Sequence, residues 1–405
     1  MKKFSKLASL PENEKWEKSI ERLNPIDSKK SDIRSEFWRD YNRLLHSKAY
    51  SRLKHKTQVF HATANDNICT RIEHVNHVAS VSYTICKELG LNYELGLAIA
   101  IGHDIGHAPF GHDGEKTLNL IAKNNYNGRF WHEKNSLDFA DNIEILQNQE
   151  GQYHNLNLSY AVRDGLISHC GEVDENNIFP RNEAIDLSEI KHPNQYPPYT
   201  WEGAVVKIAD KISYLGRDIE DALQLKILNN NQIEELNNIL NEINIKTISN
   251  ANNTSIIHSF IIDLCKVSSP ENGIGFSEKH FKAINAIKKF NYKHIYLHPR
   301  LANYKKYSDL IIDTLFQTLA SIDFENLKSS MDEKSKIFPK LISNFQKWLI
   351  KYSNFDVEQK SKNQYNNAIV YDISDKSQYQ RAIVEFLSST TDSFAIELYN
   401  ELIQF

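Results

Sequence analysis

Four side chains from three separate segments of the sequence could together hold a divalent metal ion. These are His74, the adjacent pair His103 and Asp104, and Asp210. Two imidazoles and two carboxylates form a mixed nitrogen and oxygen donor set, which suits manganese, iron, cobalt, nickel or zinc better than calcium. Eleven of the 16 histidines lie between His46 and His169, which directs the search for chemistry to that part of the chain. A site with coordination positions open for water and phosphate oxygens would be catalytic.

The first two segments also have ordinary structural explanations. Arg71 and His74 are three residues apart, so on a helix they would share one face and could point into one cleft. The structural alternative is that Arg71 is a surface arginine and His74 a hydrogen-bonded core histidine. His103-Asp104 ends the apolar run 95–102, where a buried polar pair is costly unless a metal or a capping network satisfies it. Residues 106–115 add two histidines and two acids, although an acid there could simply favour the start of the next helix.

The third segment places polar residues on one face of a predicted helix. Lys207, Asp210, Lys211, Tyr214 and Asp218 occur at offsets of 0, 3, 4, 7 and 11 residues, and aliphatic residues cover the opposite face. An ordinary solvated helix face would show the same pattern. The segment therefore indicates a site only in combination with the other two.

Helices are the elements that must position these residues. Apolar residues recur at three- and four-residue steps between Ile72 and Ile85, and residues 95–101 are almost wholly small or aliphatic. We expect an all-α protein, with residues 57–61 as a candidate short strand and long loops at 177–199 and 268–275. Further helices are predicted over residues 35–53, 114–123, 136–147, 159–169, 201–225, 232–245, 278–290, 304–322, 338–352 and 379–403.

The predicted domain division lies at about residue 230. Residues 1–230 would form a catalytic helical core with its N-terminal segment. Residues 231–405 would form a C-terminal helical region whose last helix packs back on the core.

Composition and charge indicate an ordinary globular protein. The 405 residues are 40% hydrophobic and 25% charged, as expected of a globular protein with a sizeable core. A formal net charge of -4 does not indicate nucleic-acid binding by the chain as a whole. The four cysteines are widely separated and form neither a zinc motif nor a disulfide framework. Since no apolar run has the length of a signal peptide or a membrane span, we expect a cytoplasmic protein without membrane association.

The pattern His…His-Asp…Asp resembles the HD phosphohydrolase superfamily, and more specifically its deoxyguanosine triphosphate triphosphohydrolase family. The most specific part is the block His103-Asp104-Ile105-Gly106-His107-Ala108-Pro109-Phe110-Gly111-His112-Asp113-Gly114-Glu115. Other segments that resemble the family are residues 50–60, 70–74, 162–169, 209–214 and 391–395. The resemblance runs from about residue 34 to 225 and then weakens until the last helix. It implies an HD-domain helical core with additional C-terminal helices.

Three departures from the family pattern limit what can be transferred. Ala108 stands where many relatives have proline, and His132-Glu133-Lys134-Asn135 stands where many have His-Asn-x-Gln. His132 is kept, but roles of its neighbours are not carried over. The stretch of about 226–376 is divergent, so substrate-binding residues there are not mapped.

The resemblance implies hydrolysis of a deoxynucleoside triphosphate (dGTP or several dNTPs) to a deoxynucleoside and tripolyphosphate. It implies one divalent metal per site, held by His74, His103, Asp104 and Asp210, with manganese or magnesium the best choice for an assay. The implied catalytic residues are His132 and His107 for proton transfer and Glu115 to orient a histidine. The implied substrate contacts are Arg71, His112, Lys211 and Tyr214 to the triphosphate and Gln58 and Asp218 to the 3′-hydroxyl, with Tyr214 crowding the 2′ position.

Two other functions remain open from the sequence. One is an HD phosphohydrolase for another nucleotide, such as a nucleoside monophosphate, a cyclic nucleotide or an alarmone. The other is a non-catalytic nucleotide sensor or DNA-binding oligomer. A homo-oligomer is expected, and regulation by a nucleotide or by single-stranded DNA is left open. A P-loop enzyme is disfavoured because the chain has no Gly-x-x-x-x-Gly-Lys-Ser/Thr motif.

Overall fold

The computed structural model describes residues 2–25, 33–60, 65–170, 175–245 and 252–404. Helices dominate the described residues, which confirms the all-α prediction. The α-helices are α1 (Trp16–Ile20), α2 (Glu36–Leu45), α3 (Lys48–Arg52), α4 (Arg71–Leu89), α5 (Tyr93–Gly102), α6 (Gly111–Tyr126), α7 (His132–Asp138), α8 (Tyr160–Ser168), α9 (Trp201–Gln224), α10 (Asn230–Glu242), α11 (Asn253–Val267), α12 (Glu278–Asn291), α13 (Pro299–Ala320), α14 (Leu327–Lys334), α15 (Pro339–Tyr352), α16 (Val357–Lys362), α17 (Lys376–Ser388) and α18 (Asp392–Ile403).

Short irregular elements complete the described chain. Two strands, β1 (Ile145–Gln147) and β2 (Tyr153–Asn155), pair antiparallel with Ile145 opposite Asn155. Single turns of 3-10 or π-helix occur at Leu53–His55, Phe139–Ile143, Leu187–Glu189 and Tyr292–Tyr296. No helix in the described ranges is both long and apolar enough to cross a membrane.

Some helix predictions were wrong in their boundaries. Residues 35–53 and 379–403 were each predicted as one helix but form two, because Ser47 and Thr391 accept hydrogen bonds from the backbone of Tyr50 and Phe394 and start new helices. Residues 136–147 are helical only to Ile143 and then form β1. Residues 57–60 belong to neither strand, and the remaining residue of that predicted strand, position 61, lies outside the described residues.

The structure divides into two compact units, each built from three segments. Unit 1 comprises Met1–Leu45, Thr63–Asp104 and Leu158–Ala302. Unit 2 comprises His46–Ala62, Ile105–Asn157 and Asn303–Phe405. The division near residue 230 into a catalytic core and a C-terminal region stays a prediction.

The core of unit 1 is built around α5, which packs against α2, α4, α8 and α9. Helix α5 is apolar on all sides, and every residue from Leu95 to Gly102 except Leu97 is buried. A Cβ atom at Gly102 would lie 2.8 Å from a methyl carbon of Leu166, and one at Gly165 would lie 2.6 Å from Ile99. These glycines let α5 and α8 approach closely, so the C-terminal ends of the two helices lie side by side.

Unit 2 holds the loop between His107 and α6 through buried polar contacts. The Lys56 ammonium group donates to the carbonyl oxygens of His107 and Ser388. Asp392, the first residue of α18, accepts hydrogen bonds from the Thr57 side chain and from the backbone N–H of Phe110 at 2.9 Å. These contacts fix the loop from which α6 starts.

Candidate functional site

Three of the predicted metal ligands converge in unit 1. His74 lies on α4, His103 follows α5, and Asp210 lies on α9. Nε2 of His74 is 2.9 Å and Nε2 of His103 is 3.8 Å from the same carboxylate oxygen of Asp210. The donor atoms of all three lie within 4.8 Å of one another. Since two ligands of one ion are at most about 4.2 Å apart, these distances require only small adjustments for a shared metal.

Asp104 lies beside this group. One carboxylate oxygen is 3.7 Å from Nε2 of His103, and the other accepts a hydrogen bond from the guanidinium group of Arg71. Both Arg71 and Asp104 are buried. The observed contact of Arg71 therefore orients a predicted metal ligand, and its contact with the triphosphate stays a prediction.

The chemistry of the donors fits a divalent metal. Nδ1 of His103 is 2.6 Å from the carbonyl oxygen of Ala100, so the neutral ring donates this N–H and carries its lone pair on Nε2, the nitrogen nearer Asp210. Burial raises the pKa of Asp210, but its contacts with His74 and His103 have the larger effect and lower the pKa to about 2. The site thus combines an ionised carboxylate with a histidine nitrogen prepared for coordination.

A second cluster of predicted site residues lies within unit 2. Helix α6 carries His112 and Glu115, and His132 is the first residue of α7. Nδ1 of His132 is 3.1 Å from both carboxylate oxygens of Glu115, and Nδ1 of His112 is 3.2 Å from one of them. The ring of His107 stacks on that of His132 with 4.6 Å between centroids. One carboxylate therefore joins two histidines, and the third stacks on one of them.

Glu115 is ionised in this cluster. Burial raises its pKa, but the charge of His132 and hydrogen bonds from His112 and His132 hold the pKa well below its usual range. Its carboxylate also accepts the backbone N–H of His132 at 2.9 Å. Glu115 therefore has the contacts needed to orient His132, as its predicted role requires.

Comparisons with known proteins agree with this chemistry. The profile of the HD domain family matches residues 71–215, and that of the phosphohydrolase-associated domain matches residues 274–337. The chain is similar to curated proteins described as deoxyguanosinetriphosphate triphosphohydrolase-like. The protein of Caldanaerobacter subterraneus subsp. tengcongensis is 33% identical over 291 residues, covering 72% of this chain and 74% of the relative. That of Clostridium tetani is 34% identical over 300 residues, covering 72% and 75%. That of Rickettsia typhi is 29% identical over 402 residues, covering 91% and 92%.

The chain belongs to the deoxyguanosinetriphosphate triphosphohydrolase-like family. It is therefore an HD-domain phosphohydrolase, for which the family implies a nucleotide substrate and a divalent metal. The matched region 71–215 includes the four predicted metal ligands. The match at 274–337 lies inside the stretch 226–376, where the sequence alone showed no mapped site residues.

That second matched region of the HD phosphohydrolase contains a residue that sequence reasoning missed. The hydroxyl of Tyr296 donates a hydrogen bond of 2.5 Å to Asp218, the predicted sugar-binding carboxylate on α9. Burial and the charge of Asp218 raise the pKa of Tyr296 well above its ordinary value, so the phenol keeps its proton. The sequence gives no signal for this pair, since 78 residues separate the two partners.

The other predicted substrate contacts fall on both units. Lys211 and Tyr214 lie on α9 with Asp210, while Gln58 and His112 belong to unit 2. The side-chain oxygen of Gln58 is buried and has no hydrogen-bond partner among the described residues. A hydroxyl donor from a ligand would satisfy that oxygen. Lys207, on the same stripe of α9, instead contacts Glu175 at 3.1 Å and Asn194.

Proposed function

We propose that this protein is a metal-dependent dNTP triphosphohydrolase, which converts dGTP or several dNTPs and water into a deoxynucleoside and tripolyphosphate. The observation that carries the proposal is the convergence of His74, His103 and Asp210 from three helical segments, with Asp104 beside them. The names of the relatives indicate which nucleotide class such a centre would act on.

The four residues would hold one divalent ion, and manganese or magnesium is the first choice for an assay. When bound, such an ion supplies a positive charge for a phosphate oxygen and lowers the pKa of a water molecule. Arg71 keeps Asp104 oriented through their buried ion pair. The backbone carbonyl of Ala100 keeps His103 in the coordinating tautomer.

The reaction forms a bond between a water oxygen and the α-phosphorus and breaks the bond from that phosphorus to the 5′ oxygen. The water loses a proton and the departing 5′ oxygen gains one. We assign proton transfer to Nε2 of His132, because Glu115 engages Nδ1 of the same ring. His107 stacks on this ring and limits its rotation.

The remaining polar residues would bind substrate. Lys211, His112 and Arg71 supply cationic or polar donors for the triphosphate, where such groups stabilise developing charge. The Asp218 carboxylate would accept a hydrogen bond at the 3′-hydroxyl, the Gln58 amide would accept or donate one there, and Tyr214 would crowd a 2′-hydroxyl. Assembly into a homo-oligomer, control by a nucleotide or single-stranded DNA and a cytoplasmic location belong to the same proposal and rest on the sequence and its resemblance.

Product analysis tests the proposal. The purified protein is incubated with each dNTP and Mn²⁺ or Mg²⁺, and the released phosphate species is identified. Tripolyphosphate supports the proposal, whereas orthophosphate or pyrophosphate would assign the protein to another class of HD phosphohydrolase. Absence of turnover with every metal and nucleotide would favour a nucleotide sensor. An Asp210→Ala preparation purified in parallel controls for contaminating phosphatases.

A further inference from the structure

Two buried histidines of unit 1 follow helices in the same way. His103 comes directly after α5, and His169 comes directly after α8. Nδ1 of His103 is 2.6 Å from the carbonyl oxygen of Ala100, and Nδ1 of His169 is 2.7 Å from that of Leu166. In both rings the carbonyl three residues earlier selects the tautomer with the proton on Nδ1. The lone pair of each neutral ring is therefore on Nε2.

His169 also lies next to the predicted metal ligands. Its ring centroid is 5.0 Å from that of His103, closer than the 5.5 Å between the rings of His103 and His74. A ring nitrogen of His169 lies within 4.8 Å of a carboxylate oxygen of Asp104. Since Nδ1 is engaged by Leu166, Nε2 is the nitrogen that can accept a hydrogen bond at this position.

The packing of α5 on α8 builds this arrangement. Side chains larger than glycine at positions 102 and 165 would collide with Leu166 and Ile99, so the missing Cβ atoms let each helix pack closely against a side chain of the other. This close approach sets the spacing between the two terminal histidines. A histidine that served only to cap α8 would need the contact with Leu166 but not the position beside Asp104.

We propose that His169 is a positioning residue of the metal centre, whose Nε2 would accept a hydrogen bond from water held beside Asp104. The proposal rests on the metal-binding part of the proposed function. Hydrogen-bonding partners around a metal's direct ligands typically change metal affinity by about 10- to 100-fold when they are removed. His169 would act in this way rather than contribute to the stability of the fold alone.

Metal titration of the full-length protein tests this role. We expect His169→Ala to weaken Mn²⁺ binding by about tenfold or more, measured by calorimetry and by the electron paramagnetic resonance signal of unbound Mn²⁺. His169→Gln should recover much of the affinity, because its side-chain oxygen can accept a hydrogen bond near the position of Nε2. Thermal melts without metal report whether either variant is destabilised.

His280→Ala is a matched control in the same unit. His280 is largely buried and contacts Asp263 at 2.9 Å and Ser259 at 3.0 Å, so its removal should lower stability without changing Mn²⁺ affinity. If the wild-type protein binds Mn²⁺ and folded His169→Ala binds it within about twofold as tightly, the role of His169 is wrong and the metal site stands. A glutamine variant as weak as the alanine variant would likewise overturn the hydrogen-bonding role. Failure of the wild-type protein to bind any divalent metal would instead overturn the metal site itself.

Discussion

His132 is the histidine whose contacts define which nitrogen can exchange a proton. Its Nδ1 and its backbone N–H both point to the Glu115 carboxylate, at 3.1 Å and 2.9 Å. Because Glu115 remains ionised, it stabilises the ring with a proton on Nδ1. Proton transfer at Nε2 then leaves the contact with Glu115 intact in either charge state of the ring.

Removal of His132 should separate catalysis from metal binding. We expect His132→Ala to turn over dNTP at least about 100-fold more slowly, the usual scale of general acid–base catalysis, while it keeps its metal content. His132→Asn should be equally slow, since it retains a donor near Nδ1 but has no second ring nitrogen. The measurements are kcat and metal content. Near-normal turnover with an unchanged pH profile would reject the assignment.

Tyr214 is the residue that we expect to discriminate the sugar. It lies four residues after Asp210 and four before Asp218 on α9, so the three share one helix face. An apolar pocket rejects an added hydroxyl only weakly, whereas a steric wall can reject it strongly. We expect dGTP or another dNTP to be hydrolysed at least about tenfold better than its ribonucleotide, a difference of roughly 1.4 kcal/mol.

The variant Tyr214→Ala should lower the ratio of kcat/KM for a dNTP to kcat/KM for its ribonucleotide. The measurement is kcat/KM for one dNTP and its ribonucleotide, in the wild-type and variant proteins. Equal wild-type values would defeat specificity for deoxynucleotides. An unchanged ratio in the variant would defeat only the role given to Tyr214.

The turn after α12 supports the face of α9 that we propose binds the sugar. This turn carries Tyr296, which donates to Asp218, while Asn291 at the end of α12 donates to the backbone of Leu215 at 3.0 Å. The two contacts attach the end of α12 and the turn that follows it to Leu215 and Asp218, about one turn apart on α9. They fix both the helix and the orientation of the Asp218 carboxylate.

Loss of the Tyr296 hydroxyl should weaken recognition of the 3′-hydroxyl. A hydrogen bond to a charged group contributes about 1.5–3 kcal/mol, so Tyr296→Phe should lower kcat/KM for a dNTP about tenfold, chiefly through KM. The preference for dGTP over 2′,3′-dideoxy-GTP should narrow in parallel, while Mn²⁺ affinity stays unchanged. An unchanged preference in a folded variant would show that Asp218 does not need this contact.

Sequence reasoning predicted elements well where periodicity was strong and less well where one side chain decided the outcome. The segments of α4 and α9 were predicted because their apolar residues recur over several turns, and that of α5 because it is a continuous apolar run. The short helices α1, α14 and α16 and the longer α11 were missed, as were the helix breaks made by Ser47 and Thr391. Tyr296 and His169 entered no predicted site, because their relation to Asp218 and Asp104 arises only from packing.

The predicted site residues are distributed over both compact units. His74, His103, Asp104 and Asp210 belong to unit 1, whereas His107, His112, Glu115 and His132 belong to unit 2. The family resemblance predicted that all of these residues serve one function. The sequence also predicted a domain boundary near residue 230, which differs from the observed division into two units. Periodicity describes local elements and carries no information on which distant segments pack together.

Metal binding should stabilise the folded protein, because its donors come together only when α4, α5 and α9 are packed. An ion that binds the native state alone stabilises it by about 2.7 kcal/mol when present at 100 times its dissociation constant. We expect Mn²⁺ to raise the Tm of the wild-type protein and EDTA to reverse the increase. Hydrogen exchange should slow at the start of α4, the end of α5 and the middle of α9.

Asp210→Ala should fold with little change in helical circular dichroism but lose metal, activity and the Mn²⁺-dependent rise in Tm. Full metal content in this folded variant would remove Asp210 from the site, and an equal rise in Tm would show that Mn²⁺ stabilises the protein elsewhere.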